Sequence, residues 1–343
     1  MKKLVLIGCG GIGAYHLQHF LTYDDVKLAG FCDIIPERAK AFAARTGGKA
    51  YADFKTMYDE VEPDMVFICV PPYAHGELEF ETIARGIPMF IEKPVTLDQD
   101  LAKEINRRVA DSGLITAVGF QCRYSNLITP TMNFVRNNRV VYVEAARMGG
   151  IPEAPWWREK SLSGGQIVEQ TIHQFDIIRY FIGEPVEVYT MGARGFVQMD
   201  GYDTDDLSAT AIRFANGALG TVATGCYATS GASMDSKITF SAADARLDHY
   251  IINKVNIFGS KPPEEEDGLV VKGDGTLSAA GDCMTYRDDG TAGRACDRTF
   301  VDAVLTGDAS FIRSSYDDAV KSLAFVLACN QSMAENRPVM MKA

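Results

Sequence analysis

The chain has 343 residues, of which 47% are hydrophobic and 23% charged, and its formal net charge is -11 at pH 7. This length exceeds one comfortable hydrophobic core, so we expect two domains, and the composition is that of a globular protein rather than a disordered one. The acidic balance argues against nucleic acid as a partner, because affinity for a phosphate backbone comes from clustered Lys and Arg.

The first thirty residues are typical of one half of a dinucleotide-binding unit. An apolar strand at residues 4–7 runs directly into a glycine-rich turn, and a helix is predicted from residue 11 to residue 22. In such a unit the first glycine permits the tight turn, the second lets a pyrophosphate approach the backbone, and the third lets the helix pack on the strand. The helix start offers unpaired N-H groups to phosphates. The turn consists of Gly8, Cys9, Gly10, Gly11, Ile12 and Gly13.

A second strand, residues 27–32, ends at Asp33. An acidic side chain about 20 residues after the glycines can bond the ribose diol of a dinucleotide. Its carboxylate repels a 2'-phosphate, and neither Ile34 nor Ile35 supplies a cation, so NAD is predicted in preference to NADP. Arg38 is a nearby cation, but its spacing predicts that it lies on the solvent face of the next helix.

Strands and helices continue to alternate up to residue 119, with helices at 36–45, 76–85 and 97–112 and strands at 65–69, 88–91 and 115–119. Single helices between strands imply right-handed crossovers and a parallel sheet. The fold class predicted is α/β, with a doubly wound Rossmann domain for NAD over residues 1–122. Ligands of such sheets bind beyond the carboxyl ends of the strands, where residues 70–75, 92–94 and 120–124 lie.

Lys93 stands at one of these strand ends, between Glu92 and Pro94. A lysine held there by a following proline can hydrogen-bond a substrate hydroxyl, and partial burial lowers the pKa of a lysine. The spacing fits a solvated lysine at the start of the next helix equally well.

Residues 123–343 are predicted to form a second, α+β domain that binds substrate and mediates oligomerisation, with an open, largely antiparallel sheet. A helix at 131–137 and a strand at 140–147 precede a long helix at 163–180 and period-two segments from 186 to 255. Asn216-Gly217, between apolar runs at 207–214 and 218–224, predicts a hairpin. Residues 261–275 are expected to form a surface excursion, and 295–306 and 316–335 closing helices.

Three ionisable residues share one face of the long predicted helix. If the segment is one continuous helix, Glu169, His173 and Asp176 fall within an arc of about 60°. Histidine suits proton exchange near neutral pH, and Glu169 can orient the imidazole or bond a hydroxyl. The spacing alone also fits a capped surface histidine. A metal site is not expected, because no second His or Cys motif accompanies the three residues.

Trp156, Trp157 and Arg158 precede a glycine pair at Gly164-Gly165, which allows close approach at the helix start. Aromatic faces suit the C-H groups of a ligand, and an arginine beside them suits hydroxyls or a carboxylate. We expect only one of the two tryptophans to touch a ligand, because adjacent tryptophans are usually partly core.

Eight cysteines are scattered without a CxxC pattern, which is typical of a reduced, cytoplasmic protein. The lysines at the start do not lead into a signal peptide, because glycines interrupt the apolar run. No membrane association is expected, since no stretch approaches the roughly 20 apolar residues of a membrane span.

Taken together, these motifs resemble the glucose-fructose oxidoreductase and inositol dehydrogenase family, known as Gfo/Idh/MocA. The resemblance is carried by Gly8 to Gly13, Asp33, the turn Pro71-Pro72-Tyr73-Ala74-His75, Glu92-Lys93-Pro94, the run from Val118 to Tyr124, and Gly164-Gly165 before His173 and Asp176. It implies oxidation of a secondary alcohol on a carbohydrate or polyol substrate with a nicotinamide cofactor, Lys93 as partner of the substrate hydroxyl, His173 as general acid/base, and a homo-dimer or homo-tetramer.

With this resemblance, the predicted site has three parts. The catalytic residues are Lys93, His173 and Glu169. The cofactor contacts are Gly8, Gly10, Gly11, Ile12, Gly13, Asp33, Val70, Pro71, His75, Glu92, Lys93 and Gln121. The substrate contacts are Arg123, Trp156, Trp157, Glu169, His173 and Asp176.

The chain departs from the family pattern at two positions. Glu169 stands where relatives usually have Asp, which bears on substrate orientation, and Tyr73 stands where Asn is frequent, which bears on the shape of the pocket near the nicotinamide ribose. Two other functions remain open at this stage. One is redox-neutral elimination, epimerisation or glycoside cleavage with tightly bound NAD, and the other is NAD binding without turnover.

Overall fold

The structure, a computed structural model, describes residues 1–259, 271–272 and 283–341. The chain divides into a first unit, Met1–Gln121 with Gly293–Lys321, and a second unit, Cys122–Ala292 with Ser322–Ala343. The first unit includes Gly293–Lys321, a segment that the sequence prediction assigned to the second domain. The reason is aromatic burial: the ring of Phe300 lies 5.4 Å from that of Phe67, in the core of the first unit.

Strands and helices alternate in the first unit. Its elements up to residue 121 are β1 (Lys2–Ile7), α1 (Gly11–Phe20), β2 (Val26–Cys32), α2 (Pro36–Thr46), β3 (Lys49–Tyr51), α3 (Phe54–Val61), β4 (Met65–Ile68), α4 (Glu77–Ala84), β5 (Met89–Ile91), α5 (Gln99–Ser112) and β6 (Thr116–Val118).

The six strands form one parallel sheet in the order β3-β2-β1-β4-β5-β6. This is the doubly wound order, and it confirms the predicted α/β fold class. The strand order reverses between β1 and β4, so the crevice beyond their carboxyl ends is where such sheets bind ligands. Strands β4 and β5 are buried along their whole length and β1 is buried from Leu4 to Ile7, as expected for a sheet covered on both faces.

The sequence interpretation missed β3 and α3. The strand has only three residues at the edge of the sheet, too few for a period to be recognised. The helix does carry a recognisable start, because the side chain of Asp53 accepts a hydrogen bond from the backbone N-H of Thr56 at 2.7 Å.

From residue 122 onward, short helices precede a run of strands, and two long helices follow. The elements are α6 (Ile128–Asn137), β7 (Tyr142–Gly149), α7 (Lys160–Ser163), α8 (Gln166–Glu169), α9 (Ile172–Ile182), β8 (Pro185–Ala193), β9 (Leu207–Phe214), β10 (Leu219–Cys226), β11 (Met234–Ser241), β12 (Arg246–Tyr250), β13 (Lys254–Phe258), β14 (Val271–Lys272), β15 (Cys283–Arg287), α10 (Ala292–Thr306), α11 (Tyr316–Glu335) and β16 (Val339–Met340).

These strands form a sheet in the order β14-β15-β13-β12-β11-β7-β10-β9-β8-β16. Neighbours are antiparallel except β7 and β10, which run parallel, so the predicted largely antiparallel sheet is confirmed. The predicted hairpin joins β9 to β10, with Gly217 at a φ of +88°. Apart from β14, the surface excursion predicted for residues 261–275 lies outside the described residues.

The single helix predicted over residues 163–180 is wrong, because three short helices occupy this stretch. Gly164 and Gly165 have φ values of +75° and +83°, which end α7 and start α8. A second break follows Gln170, where the backbone N-H of Thr171, the residue before α9, donates to the carbonyl of Gln166 at 2.9 Å. The 60° arc calculated for a continuous helix therefore does not apply.

Within the described residues, no helix combines the length and the apolar character required to cross a bilayer.

Candidate active site

The glycine turn after β1 shows which of its glycines the fold requires. A Cβ on Gly8, whose φ is +92°, would overlap the carbonyl oxygen of Cys69, and a Cβ on Gly13 would overlap that of Gly8. A Cβ on Gly10, by contrast, would meet only Arg38 Nη1 at 3.9 Å, and one on Gly11 nothing within 4 Å. The first and third glycines therefore serve packing, whereas the backbone at Gly10 and Gly11 is open to a ligand.

Helix α1 starts beside this open backbone without any side-chain cap. Gly10 is its N-cap residue, and its first turn contains no acidic side chain. Gly11 and Ile12 are exposed, so the N-H groups of the first turn face outward. Uncapped N-H groups and the helix dipole make this end suited to an anion such as a pyrophosphate.

Asp33 closes the same turn from β2. One carboxylate oxygen accepts from the backbone N-H of Cys9 at 2.7 Å and the other from that of Ile35 at 2.8 Å. Each oxygen has a second lone pair, so these bonds leave acceptor capacity for a ribose diol. Burial raises the pKa of the Cys9 thiol to about 12, and the nearby charge of Asp33 makes the second largest contribution to this increase. The thiol is therefore protonated.

Arg38 is exposed, as predicted, but its guanidinium extends toward the glycine turn rather than away from it. The proximity to Gly10 noted above places a cation beside the open backbone. Sequence spacing gave the correct helix face and missed the reach of the long side chain.

The predicted cofactor contacts after β4 differ in accessibility. Val70 and Pro71 are half-buried, whereas His75 is buried. His75 Nδ1 lies 2.6 Å from Glu79 Oε1, and Glu79 Oε2 accepts from the N-H of Gly76 at 2.6 Å. These bonds hold the turn at the start of α4, which favours a structural role for His75.

After β5, Lys93 is half-buried between buried Glu92 and buried Pro94, and the Lys93-Pro94 peptide bond is cis. Glu92 Oε2 accepts from the backbone N-H of Lys93 at 3.1 Å. The carboxylate of Glu92 occupies the space where a Cβ on Gly119 would lie, so the glycine after β6 makes room for it. Gln121, also half-buried, accepts a hydrogen bond from the hydroxyl of Tyr15 at 2.8 Å.

In the second unit, His173 stands out by its accessibility. From Ile172 to Arg179 every residue is buried except His173, which is half-buried. Its Nδ1 lies 3.8 Å from the buried thiol of Cys122. The first two turns of α9 therefore present one side chain outside the core, and that side chain is an imidazole.

Glu169 ends α8 in a polar cluster. Glu169 Oε2 accepts from the indole N-H of Trp157 at 2.7 Å and from the amide of Gln170 at 2.6 Å. Gln170 Oε1 in turn accepts from Arg147 Nη2 at 3.2 Å. Sequence reasoning missed Arg147 and Gln170, because nothing local to β7 indicates that its arginine reaches this helix.

The two tryptophans differ, as expected for an adjacent pair. Trp157 is 1% exposed and reaches Glu169 from the core, whereas Trp156 is half-buried. Of the two predicted substrate contacts, only Trp156 has a surface available to a ligand. Trp157 supports the carboxylate of Glu169 instead.

Asp176 and Arg123, also predicted to contact substrate, are buried together. Asp176 accepts from Arg123 Nε at 2.8 Å and Nη2 at 2.5 Å, and from the hydroxyl of Ser322 at 2.6 Å. Both side chains are about 1% exposed. In this structure they form a fork-shaped ion pair in the core, and direct substrate contact is closed to them.

Models of two protein domains match the sequence. The model described as "Oxidoreductase family, NAD-binding Rossmann fold" matches residues 2–120, and the "GFO/IDH/MocA C-terminal domain" matches residues 138–248. The chain belongs to the Gfo/Idh/MocA oxidoreductase family. The first unit of this Gfo/Idh/MocA chain is thus an NAD-binding Rossmann domain, in agreement with the open backbone at Gly10 and the uncapped start of α1.

Curated relatives are similar over part of this Gfo/Idh/MocA chain. The scyllo-inositol 2-dehydrogenase (NAD(+)) of Bacillus subtilis is 27% identical over 232 residues, which cover 64% of this chain and 66% of the relative. The myo-inositol 2-dehydrogenase of Thermotoga maritima is 28% identical over 226 residues, which cover 64% of this chain and 67% of the relative. The aligned part thus spans about two thirds of these relatives.

Among solved structures, levoglucosan dehydrogenase in complex with NADH has a TM-score of 0.84 at 18% identity, and the match covers 99% of both chains. This likeness concerns the fold alone.

Proposed function

We propose that this chain is an NAD-dependent dehydrogenase that oxidises a secondary alcohol of a sugar, a sugar derivative or a cyclitol. The family supports an oxidoreductase acting on CH-OH groups, and the inositol dehydrogenases among the relatives support the substrate class. The observation that carries the proposal is the half-buried His173 on a helix turn that is otherwise buried.

In this proposal His173 is the general acid/base and accepts the proton of the substrate hydroxyl. Lys93 donates a hydrogen bond to the same oxygen and stabilises the negative charge that develops on it. When bound, the nicotinamide supplies the carbon that accepts the hydride. Partial burial suits both side chains, because it lets them reach a substrate while limiting competition from water.

Glu169 is proposed to bind a second hydroxyl of the substrate. The indole of Trp157 and the amide of Gln170 fix one of its oxygens, and this fixes the direction of the carboxylate. A carboxylate has about four acceptor sites, so two such bonds do not exhaust it. The extra methylene of Glu169 relative to Asp is expected to alter which hydroxyl it reaches.

For the cofactor we propose NAD in preference to NADP. We propose that the carboxylate of Asp33, at the end of β2, bonds the ribose diol and repels a 2'-phosphate. Arg38 is the opposing feature, because a cation near Gly10 can bind a phosphate. The ratio of kcat/KM for the two cofactors measures which of these charges dominates.

The experiment that tests the function is a panel of inositols, sugars and sugar acids with NAD and NADP in parallel, read at the NADH absorbance band. Steady NADH formation with one of them supports the dehydrogenase. Product without accumulation of NADH would instead identify redox-neutral chemistry, and NAD binding with no product from any compound would identify a binding protein.

Two variants test the assigned residues. We expect Lys93→Ala and His173→Ala to bind NAD nearly as the unchanged protein does and to lose most turnover, roughly 10²–10⁴-fold, as removal of a general acid/base does. Lys103→Ala is the matched control, because its ammonium is exposed and pairs with Asp100 on the surface. Unchanged turnover in both site variants would defeat the assignment.

We also propose that the chain forms a homo-oligomer through the open face of its large sheet. The burial of β9 alternates strictly from Ser208 to Phe214, and Ala209 and Ala211 lie on the exposed side. Met191 on neighbouring β8 is 63% exposed. An exposed sheet face that carries apolar side chains is a surface that a second copy can cover. Sedimentation equilibrium that shows only monomer would contradict this.

A further inference from the structure

A chain of buried ionisable groups lies in the first unit next to the Glu92-Lys93 turn. His16, on α1, is 2% exposed, and its Nδ1 lies 2.9 Å from both carboxylate oxygens of Asp297. Its Nε2 lies 3.0 Å from Glu92 Oε1. His19 Nδ1 lies 2.6 Å from Asp297 Oδ2. We call these four residues the His16 cluster.

The geometry fits a charged imidazole. A neutral histidine has one N-H donor and one acceptor nitrogen, whereas a carboxylate only accepts, so two carboxylates on opposite ring nitrogens match the two N-H groups of an imidazolium. Burial works against the charge, but the two carboxylates, Asp297 above all, outweigh it and raise the pKa of His16 to about 10. His16 is therefore a buried cation near neutral pH.

The cluster also has the composition of a metal site. His16, His19 and Asp297 are the one group, among residues of the described segments, whose three potential ligand atoms lie within 4.8 Å of one another. Their N-to-O distances of 2.6–2.9 Å are those of hydrogen bonds, and protons account for them. Bound metal is thus a result that the experiment must be able to detect.

Glu92 connects the cluster to Lys93. One of its oxygens is held by His16 and the other by the backbone N-H of Lys93. Its own backbone N-H donates to the carbonyl of Ile68, at the end of β4, at 2.9 Å. With the carboxylate seated over the backbone of Gly119, Glu92 is fixed from several directions. The backbone that carries the side chain of Lys93 is fixed with it.

We propose that His16 is a positioning residue for catalysis: held as a cation by Asp297, it anchors Glu92 and thereby the backbone of Lys93. His16 itself touches neither substrate nor cofactor in this scheme. The inference rests on the proposed role of Lys93 at the substrate oxygen. It assigns a function to a buried histidine that the proposed mechanism leaves unused.

The test is His16→Gln, which keeps a donor of similar size but removes the positive charge. We expect kcat to fall about 10–100-fold, the cost of misplacing a catalytic group, while the Kd for NAD and the KM for substrate change less than threefold. Glu92→Gln should give the same loss in kcat alone, and it serves as the second variant if His16→Gln does not fold. His249→Gln, at a buried histidine of the second unit, is the control and should leave kcat unchanged.

The double variant His16→Gln/Glu92→Gln separates positioning from general damage. If both residues act on Lys93 through one linkage, the loss in the double variant equals that of the worse single variant rather than the product of the two. Multiplicative losses, or a matching rise in KM and Kd, would overturn the inference.

Three further outcomes are distinguishable. A loss of turnover in Lys93→Ala with normal kcat in His16→Gln overturns the positioning role and leaves the proposed function standing. Normal turnover in Lys93→Ala overturns the inference together with the role proposed for Lys93, while the substrate panel still decides the proposed dehydrogenase activity. A stoichiometric divalent metal in the purified protein that is absent from His19→Gln would also overturn the inference, since a metal would replace the proton on His16.

Discussion

Replacing Gly10 by Ala should separate cofactor binding from folding. The φ and ψ of Gly10, -78° and -159°, lie in the extended region that alanine adopts readily. The nearest atom to the added Cβ is Arg38 Nη1 at 3.9 Å, which is ordinary van der Waals contact. The free energy of unfolding should therefore change by no more than about 0.5 kcal/mol, as for substitutions that break no packing.

The same Cβ occupies the space through which a pyrophosphate approaches the backbone. Displacement of the phosphates would weaken one hydrogen bond to a charged group, which contributes about 1.5–3 kcal/mol, so the Kd for NAD should rise roughly 10–150-fold. Isothermal titration gives the Kd, and thermal unfolding without NAD gives the stability.

Two neighbouring glycines provide the controls. Gly11→Ala adds a Cβ with nothing within 4 Å, so its unfolding midpoint should stay unchanged or rise. Gly13→Ala drives a Cβ into the carbonyl of Gly8, and it should cost about 1–3 kcal/mol as overpacking does. If Gly10→Ala bound NAD with unchanged affinity, or unfolded as easily as Gly13→Ala, the assignment of the turn would be refuted.

Two further predictions concern buried charges in the second unit. Asp176→Asn should lower the free energy of unfolding, measured in urea, by about 3–5 kcal/mol, because Arg123 remains buried without its counter-charge. Glu187→Gln removes one partner of the exposed pair with Arg213 and should lower it by at most about 1 kcal/mol. Equal losses in the two variants would contradict the burial of the Arg123–Asp176 pair. Burial lowers the pKa of His249 to about 4, so the stability it contributes is complete above about pH 6.5 and is lost as the pH falls through 4. When the pH is lowered from about 7 to about 4.5, the free energy of unfolding of His249→Gln should therefore fall less than that of the unchanged protein. An equal decrease of the urea midpoint in the two proteins would contradict this.

The Rossmann unit was predictable because its signals are local. The apolar strand, the glycine turn and the acid at the end of β2 all fall within 33 residues, and each follows from the conformation or burial of neighbours in sequence. His16 was within reach of the same reasoning. It lies in one stripe with Gly13, Leu17 and Phe20, all buried on α1, and a histidine in such a stripe needs a buried partner.

The partners themselves were not predictable from the sequence. Asp297 lies 281 residues from His16, and Arg123 lies 53 residues before Asp176. The second break in the predicted helix, at Thr171, depends in part on such a distant partner, because Thr171 is bonded to Gln166 and to Thr224, which lies on β10. Helical periodicity does not report such distant contacts. The prediction based on it therefore put Asp176 on the same accessible helix face as His173.

The structure separates the ionisable residues that the sequence predicted for the site into two kinds, those that are buried in ion pairs and those that are half-buried. Asp176 and Glu92 are buried, and each charge is balanced by a cation, Arg123 in one unit and His16 in the other. A buried charge must be compensated in this way, because leaving water costs several kcal/mol per ion. Lys93 and His173 remain half-buried, where a substrate can reach them. The balanced pairs can hold the backbone, and we therefore propose Lys93 and His173, rather than these buried pairs, as the residues that act on the substrate.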